Sequence, residues 1–150
     1  MDVLEIYRKM KKLPFGDQIF TKAICYNAPY FSSIHPSLVH FSECHFEFKI
    51  KNRRSVQNDL VTVQSIAMCI LAEICGGMCM ETIIDPKRRW IPKGMKVRYL
   101  AKAGSDLVGS TQFLKSDLLN GSNILKVDVK DTSGIIVFDA EIEMYVSDKS

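Results

Sequence analysis

A chain of 150 residues with 47% hydrophobic and 25% charged side chains is long enough for one domain with its own core and short for two. A formal net charge of +3 does not by itself imply a nucleic-acid partner, and five cysteines, odd in number and without a C-x-x-C pair, make neither a disulfide framework nor a zinc pattern. The expectation is a single domain over 1–150 in a reducing, cytoplasmic setting, and Asp2 and Glu5 among the first residues argue against a secretory leader.

Over residues 2–12, Val3, Ile6, Tyr7 and Met10 fall on one face, with Arg8, Lys9, Lys11 and Lys12 elsewhere, which predicts a short amphipathic helix with solvated charges. Pro14-Phe15-Gly16 breaks it, and a second helix is expected from about Asp17 to Tyr26, so that residues 1–28 form an N-terminal helical extension. Pro29 and Pro36 bracket an irregular stretch. Cys44, Phe46, Phe48 and Ile50 then alternate with Glu43, His45, Glu47 and Lys49 as a half-buried strand does. His35, His40 and His45 recur every five residues, a spacing that suits neither a zinc site nor a triad, and they read as surface histidines.

From about Leu60 to Cys75 the chain is apolar on nearly every side, the exceptions being Thr62, Gln64, Ser65 and Glu73. A helix hydrophobic all round is a buried helix, and this one reads as too short and too polar to span a bilayer. Gly76-Gly77 reads as its stop signal, with a short strand after it at Met80–Ile84. Met95, Val97, Tyr99 and Ala101 alternate with Lys96, Arg98 and Lys102 in the next strand, and another follows at about Asp106–Lys115. The last third is a hairpin: Leu125, Val127 and Val129, the turn Asp131-Thr132-Ser133-Gly134, and a return through Phe138, Ala140, Ile142, Met144 and Val146. One strand, a buried helix, then about five strands on short loops favours antiparallel pairing in an α+β fold.

That order, together with Asn58-Asp59-Leu60-Val61-Thr62-Val63-Gln64-Ser65 and Glu73 eight residues on, resembles the hotdog-fold acyl-CoA thioesterases of the phenylacetate-pathway type, nearest their uncharacterised thioesterase-like members. Lys93-Gly94-Met95 and Tyr99-Leu100-Ala101-Lys102-Ala103 are similar to the strand that follows in the same superfamily. The resemblance spans about Tyr30 to Val146. It implies an antiparallel sheet of five to six strands wrapped round a long helix, and a homodimer or homotetramer with each site built from two chains. It also implies hydrolysis of an acyl-CoA thioester, with CoA as part of the substrate and no separate cofactor or metal. Carried over, Asn58 would position water or the thioester, the Ser65 N–H would polarise the carbonyl, and Glu73 would act as general base or nucleophile. Gln64 stands where the pattern has His, and Val61 where it has the first Gly.

Each of these residues has a structural reading beside the catalytic one. Glu73 can be a buried carboxylate held by a donor, Gln64 a hydrogen bond at the helix start, and Asn58 a helix cap. At 100° per residue, Gln64 and Glu73 point to opposite sides of the helix, so a site using both spans two chains. Arg53 and Arg54 before the helix, and Arg88 and Arg89 before the next strand, are the candidates to grip CoA phosphates; solvated surface charge is the alternative. Trp90 either stacks on an adenine ring or is half-buried at a loop end. The rival function is a non-catalytic acyl- or CoA-binding or assembly module with a degenerate site. A hotdog dehydratase is weaker, because such sites rely on a His that the helix start lacks.

Overall fold

The structure, a computed structural model, describes residues 2–150. Two short helices come first, α1 (Val3–Lys11) and α2 (Gly16–Asn27). The Asp2 carboxylate opens α1 by accepting the Leu4 N–H at 3.0 Å. A 3-10 turn (Pro29–Ile34) leads to β1 (Ser37–Ser42) and β2 (His45–Ile50). The long helix α3 (Ser65–Ile83) follows, and then β3 (Arg88–Tyr99), β4 (Leu107–Gln112), β5 (Gly121–Lys130) and β6 (Ile136–Asp148). All neighbouring strands are antiparallel, in the order β1-β2-β4-β5-β6-β3. The expected α+β architecture, a six-stranded antiparallel sheet around a central helix, is the observed one.

Strand periodicity explains how the sheet holds α3. On β5 the inward positions Leu125, Val127 and Val129 are fully buried, and so are Phe138, Ile142 and Met144 on β6, while the alternate residues face out. Phe46, Phe48 and Ile50 close the same core from β2. Against this wall α3 buries Leu71, Ala72, Ile74, Cys75, Cys79 and Met80 completely. The five cysteines are free, and burial pushes the Cys75 and Cys79 thiols up to about 12, so both act as apolar side chains.

Three expectations are corrected. Gly76-Gly77 does not end the helix, which continues to Ile83 and takes up the stretch expected as a strand at Met80–Ile84. The glycines are there for contact: a Cβ on Gly76 would come 3.1 Å from Ile142 Cδ1, and one on Gly77 3.3 Å from the Trp90 ring. With its full 19 residues, α3 is also long and apolar enough to cross a membrane, and it is core because 78% of its apolar window is buried inside the fold. Finally, β1 follows the irregular stretch, in residues where no strand was expected. Phe41 is its sole buried residue, so no alternation marks it, and it pairs with β2 across a two-residue turn in which Cys44 takes φ 70°.

The end of β2 is tied to the segment before β4 by Asp106, whose carboxylate accepts the Asn52 N–H at 2.9 Å and meets Lys49 at 3.4 Å. The donated N–H, and then Lys49, hold this carboxyl below the usual carboxylate range. A depressed folded-state pKa stabilises above the unfolded value, about 3.9 for Asp, and that contribution is lost as pH falls through the folded value. Asp106→Asn should therefore lower the urea midpoint at pH 7, with the gap from the unmodified protein closing below about pH 4. A gap that persists unchanged at pH 3 would show that the charge contributes nothing.

Candidate functional site

The candidate catalytic residues Asn58, Gln64, Ser65 and Glu73 fall on two cavities on different faces of α3. The first lies at the helix start and is lined by Asn58, Thr62, Gln64, Ser65, Tyr99 and Lys102, among others. The loop before α3 is shaped by Asn58, whose Oδ1 accepts the N–H groups of Leu60 at 3.0 Å and Thr62 at 3.1 Å. This turn carries Val61 at φ 61°, a left-handed conformation that a β-branched residue rarely adopts. A glycine at position 61 would adopt it without strain, which is where the resembled pattern has one. Asn58 thus caps the turn and not the helix.

The helix cap is Gln64. Its backbone is extended (φ −60°, ψ 140°), its main-chain N–H donates to Val56 O at 2.7 Å, and its Oε1 accepts both the Ser65 N–H at 2.8 Å and the Ser65 hydroxyl at 3.1 Å. The donor expected to meet a thioester carbonyl is therefore already taken by the neighbouring side chain. Gln64 is exposed, so the contact can open by rotation of that side chain alone. Gln64→Ala removes this contact and should lower stability by up to about 1 kcal/mol, the net worth of an ordinary hydrogen bond. A urea midpoint equal to that of the unmodified protein would mean that the contact adds no stability.

The sequence pattern did not reveal Tyr99. The end of β3 returns beside the start of α3, and Tyr99 Oη lies 3.8 Å from Cys69 Sγ, one helical turn past Ser65. The hydrogen-bonded Cys69 thiol, and then desolvation, raise the Tyr99 hydroxyl above its ordinary value, so it stays protonated at neutral pH. Topology was the available signal, because an antiparallel return after a helix places the strand's last residues at the helix's first.

The second cavity holds Glu73. It is an apolar groove of about 540 Å³ roofed by the N-terminal helices, with Ile6 and Met10 from α1, Ile24 from α2, Phe31, and Ile74 and Met78 from α3 in its walls. Glu73 is half-buried and makes no hydrogen bond or ion pair among the described residues. Trp90 closes one end, its Nε1 donating to Glu81 Oε1 at 2.8 Å. As the nine-residue spacing requires, Gln64 and Glu73 do not share a cavity.

The arginines are also split. Arg53 and Arg54 are exposed before the start of α3, whereas Arg88 and Arg89, expected before a strand, are the first residues of β3 beyond the far end of the helix, where Arg88 meets Asp148 at 3.5 Å and Arg89 donates to Ser147 Oγ at 3.3 Å. A 19-residue helix is about 28 Å long, so the four do not form one basic rim within a chain. The His40 and His45 rings lie 4.5 Å apart, tilted by 41°, and His45 Nε2 lies 3.3 Å from Glu47. Among the described residues no group of three or more His, Cys, Asp or Glu could hold a metal ion.

A sheet curled round one long helix, with a cavity at the helix start and a carboxylate midway along it, defines a hotdog-fold protein. The relatives agree. A structural-genomics protein, APC5556, is 32% identical over 98% of this chain and 99% of its own, with a TM-score of 0.86. A Pseudomonas aeruginosa protein named a probable thioesterase matches at 14% identity and TM-score 0.75, over 81% of this chain and 88% of its own. A Staphylococcus aureus thioesterase, solved with separate substitutions of a glutamine and a glutamate, matches at 10% identity and TM-score 0.72, over 79% of this chain and 98% of its own. No curated protein matches. The model of the domain of unknown function DUF4442 matches residues 16–146, and the chain belongs to that family. The resemblance to hotdog thioesterases read from the sequence is borne out in the fold.

Proposed function

We propose that the protein hydrolyses acyl-CoA thioesters, with Glu73 activating water, and that it works as a homodimer or larger in a reducing cytoplasm. The observation that carries this reading is Glu73 itself, a half-buried carboxylate without a partner among the described residues, facing an apolar groove on a fold shared with proteins named thioesterases. Such a carboxylate can take a proton from water as the oxygen attacks the thioester carbonyl. The C–S bond then breaks, the acyl group keeps the water oxygen, and the thiol leaves with a proton. Spacing adds support: the glutamine and glutamate substituted in the S. aureus thioesterase are fifteen positions apart, as are Asn58 and Glu73 here.

Assembly supplies what one chain lacks. β3 is a sheet edge, and Ile91, Met95 and Tyr99 along it are exposed together with Leu60, Val61 and Ile66 near the helix start. Antiparallel pairing of β3 with a second copy would set the Arg88–Arg89 end of one chain beside the helix start, Arg53 and Arg54 of the other. One composite site would then hold a helix N-terminus, a carboxylate and a basic rim for CoA phosphates. The five free thiols suit a reducing compartment.

A second reading, a non-catalytic acyl- or CoA-binding module, is favoured by one contact, the Gln64 side chain on the Ser65 N–H. A thiol-release assay over a panel of acyl-CoA esters, with light scattering at micromolar concentration, separates the two. Turnover by a dimer or larger is the expected result. Binding without turnover for every ester would establish the module, and a stable monomer would remove the composite site.

A further inference from the structure

The groove under the N-terminal helices falls within the size range of ligand pockets, and its lining is more apolar than that of the other clefts of similar volume. Its length follows from the helix: Glu73 and Glu81, eight residues apart on α3, both line it, which gives about 12 Å along the axis. α1 forms the opposite wall through Val3, Ile6 and Met10, so the trough is elongated. The family match begins at residue 16, and α1 therefore lies outside the segment that the family model matches. The charges in the lining are of one sign. Glu73 and Glu81 are its ionisable members, and no lysine or arginine lines it.

We infer that this trough holds an unbranched aliphatic chain whose buried end is uncharged, and that α1 and α2 set its length. The inference rests on the proposed function for its biological occupant, the acyl part of a thioester. Its chemistry stands on the groove alone. Apolar walls favour transfer of methylenes from water, at about 0.8 kcal/mol each. Glu73, which no cation of the lining faces, disfavours an anionic head beside it, because like charges in a partly desolvated groove repel; Glu81, at the other end, also borders the neighbouring cleft that holds Arg88 and Arg89. A thioester enters as a neutral group, and the carboxylate formed beside Glu73 is repelled. The groove thus separates substrate from product by charge.

Trp90 is the single tryptophan of the chain and lines the groove, so its fluorescence reports occupancy directly. Titration of the unmodified protein with 1-decanol should change that emission saturably, and sodium decanoate at pH 8 should bind at least tenfold more weakly. Ala23→Phe, which places a ring into the groove from α2, should weaken decanol binding at least tenfold. No response to decanol, or equal affinity for decanol and decanoate, would overturn the inference, and these titrations hold whether or not the variant folds. Saturable decanol binding in a protein that turns over no thioester would keep this inference and remove the proposed function. Turnover independent of acyl length, with Trp90 silent to decanol, would do the reverse.

Discussion

Glu73→Gln should reduce thioester hydrolysis by about 10²- to 10⁴-fold, the range typical for loss of a general base. The amide keeps the volume of the carboxylate but cannot accept a proton near neutral pH. Because Glu73 makes no hydrogen bond or ion pair among the described residues, the fold has no contact to lose, and thermal melting should be unchanged within about 0.5 kcal/mol. Steady-state rates and melting curves on the two proteins decide the matter. Equal rates would move the chemistry away from Glu73, whereas a collapse in stability would show that the carboxylate is structural.

The largest stability effect is expected where α3 meets β4. Leu71 is fully buried, and a Cβ placed on Gly109 would lie 2.9 Å from Leu71 Cγ and 3.2 Å from Cys75 Sγ. Leu71→Ala should cost about 2–5 kcal/mol through lost transfer energy and the cavity left behind. Gly109→Ala alone should also destabilise, because the added methyl meets the leucine. Together they should cost less than the sum, since the methyl of residue 109 enters the space the leucine vacates. Urea unfolding of both singles and the double mutant measures this coupling. Strict additivity would mean that the helix shifts to relieve the contact.

What was legible in the sequence depended on periodicity. The hairpin of β5 and β6 declared itself through strict alternation and the turn at Asp131, whose Oδ1 accepts the N–H groups of Ser133 at 2.8 Å and Ile135 at 2.9 Å. The buried helix was visible from its lack of a polar face, but its end was not. Gly76 and Gly77 carry the same letters whether they stop a helix or let a strand approach, and only the position of Ile142 and Trp90 tells these apart. β1 was missed because an edge strand with one inward residue has no period to detect. For the candidate site, spacing alone separated Gln64 from Glu73. The capture of the Ser65 N–H by Gln64 depends on a side-chain rotamer, and the roof over Glu73 depends on where two distant helices come to rest. Neither is written in local pattern.

The strand order also sets a timetable for synthesis. α3 is complete at Ile83, but β4, β5 and β6, which pack against it, are not all finished until Asp148. At about 5–20 residues per second, the remaining 65 residues take roughly 3–13 s to translate. Throughout that interval the nascent chain holds a segment whose length and hydropathy match a membrane span, without the hairpin that will cover it. Whatever shields that helix at the ribosome, whether early docking against β2 or a chaperone, therefore governs the yield of folded protein as much as the stability of the finished sheet does.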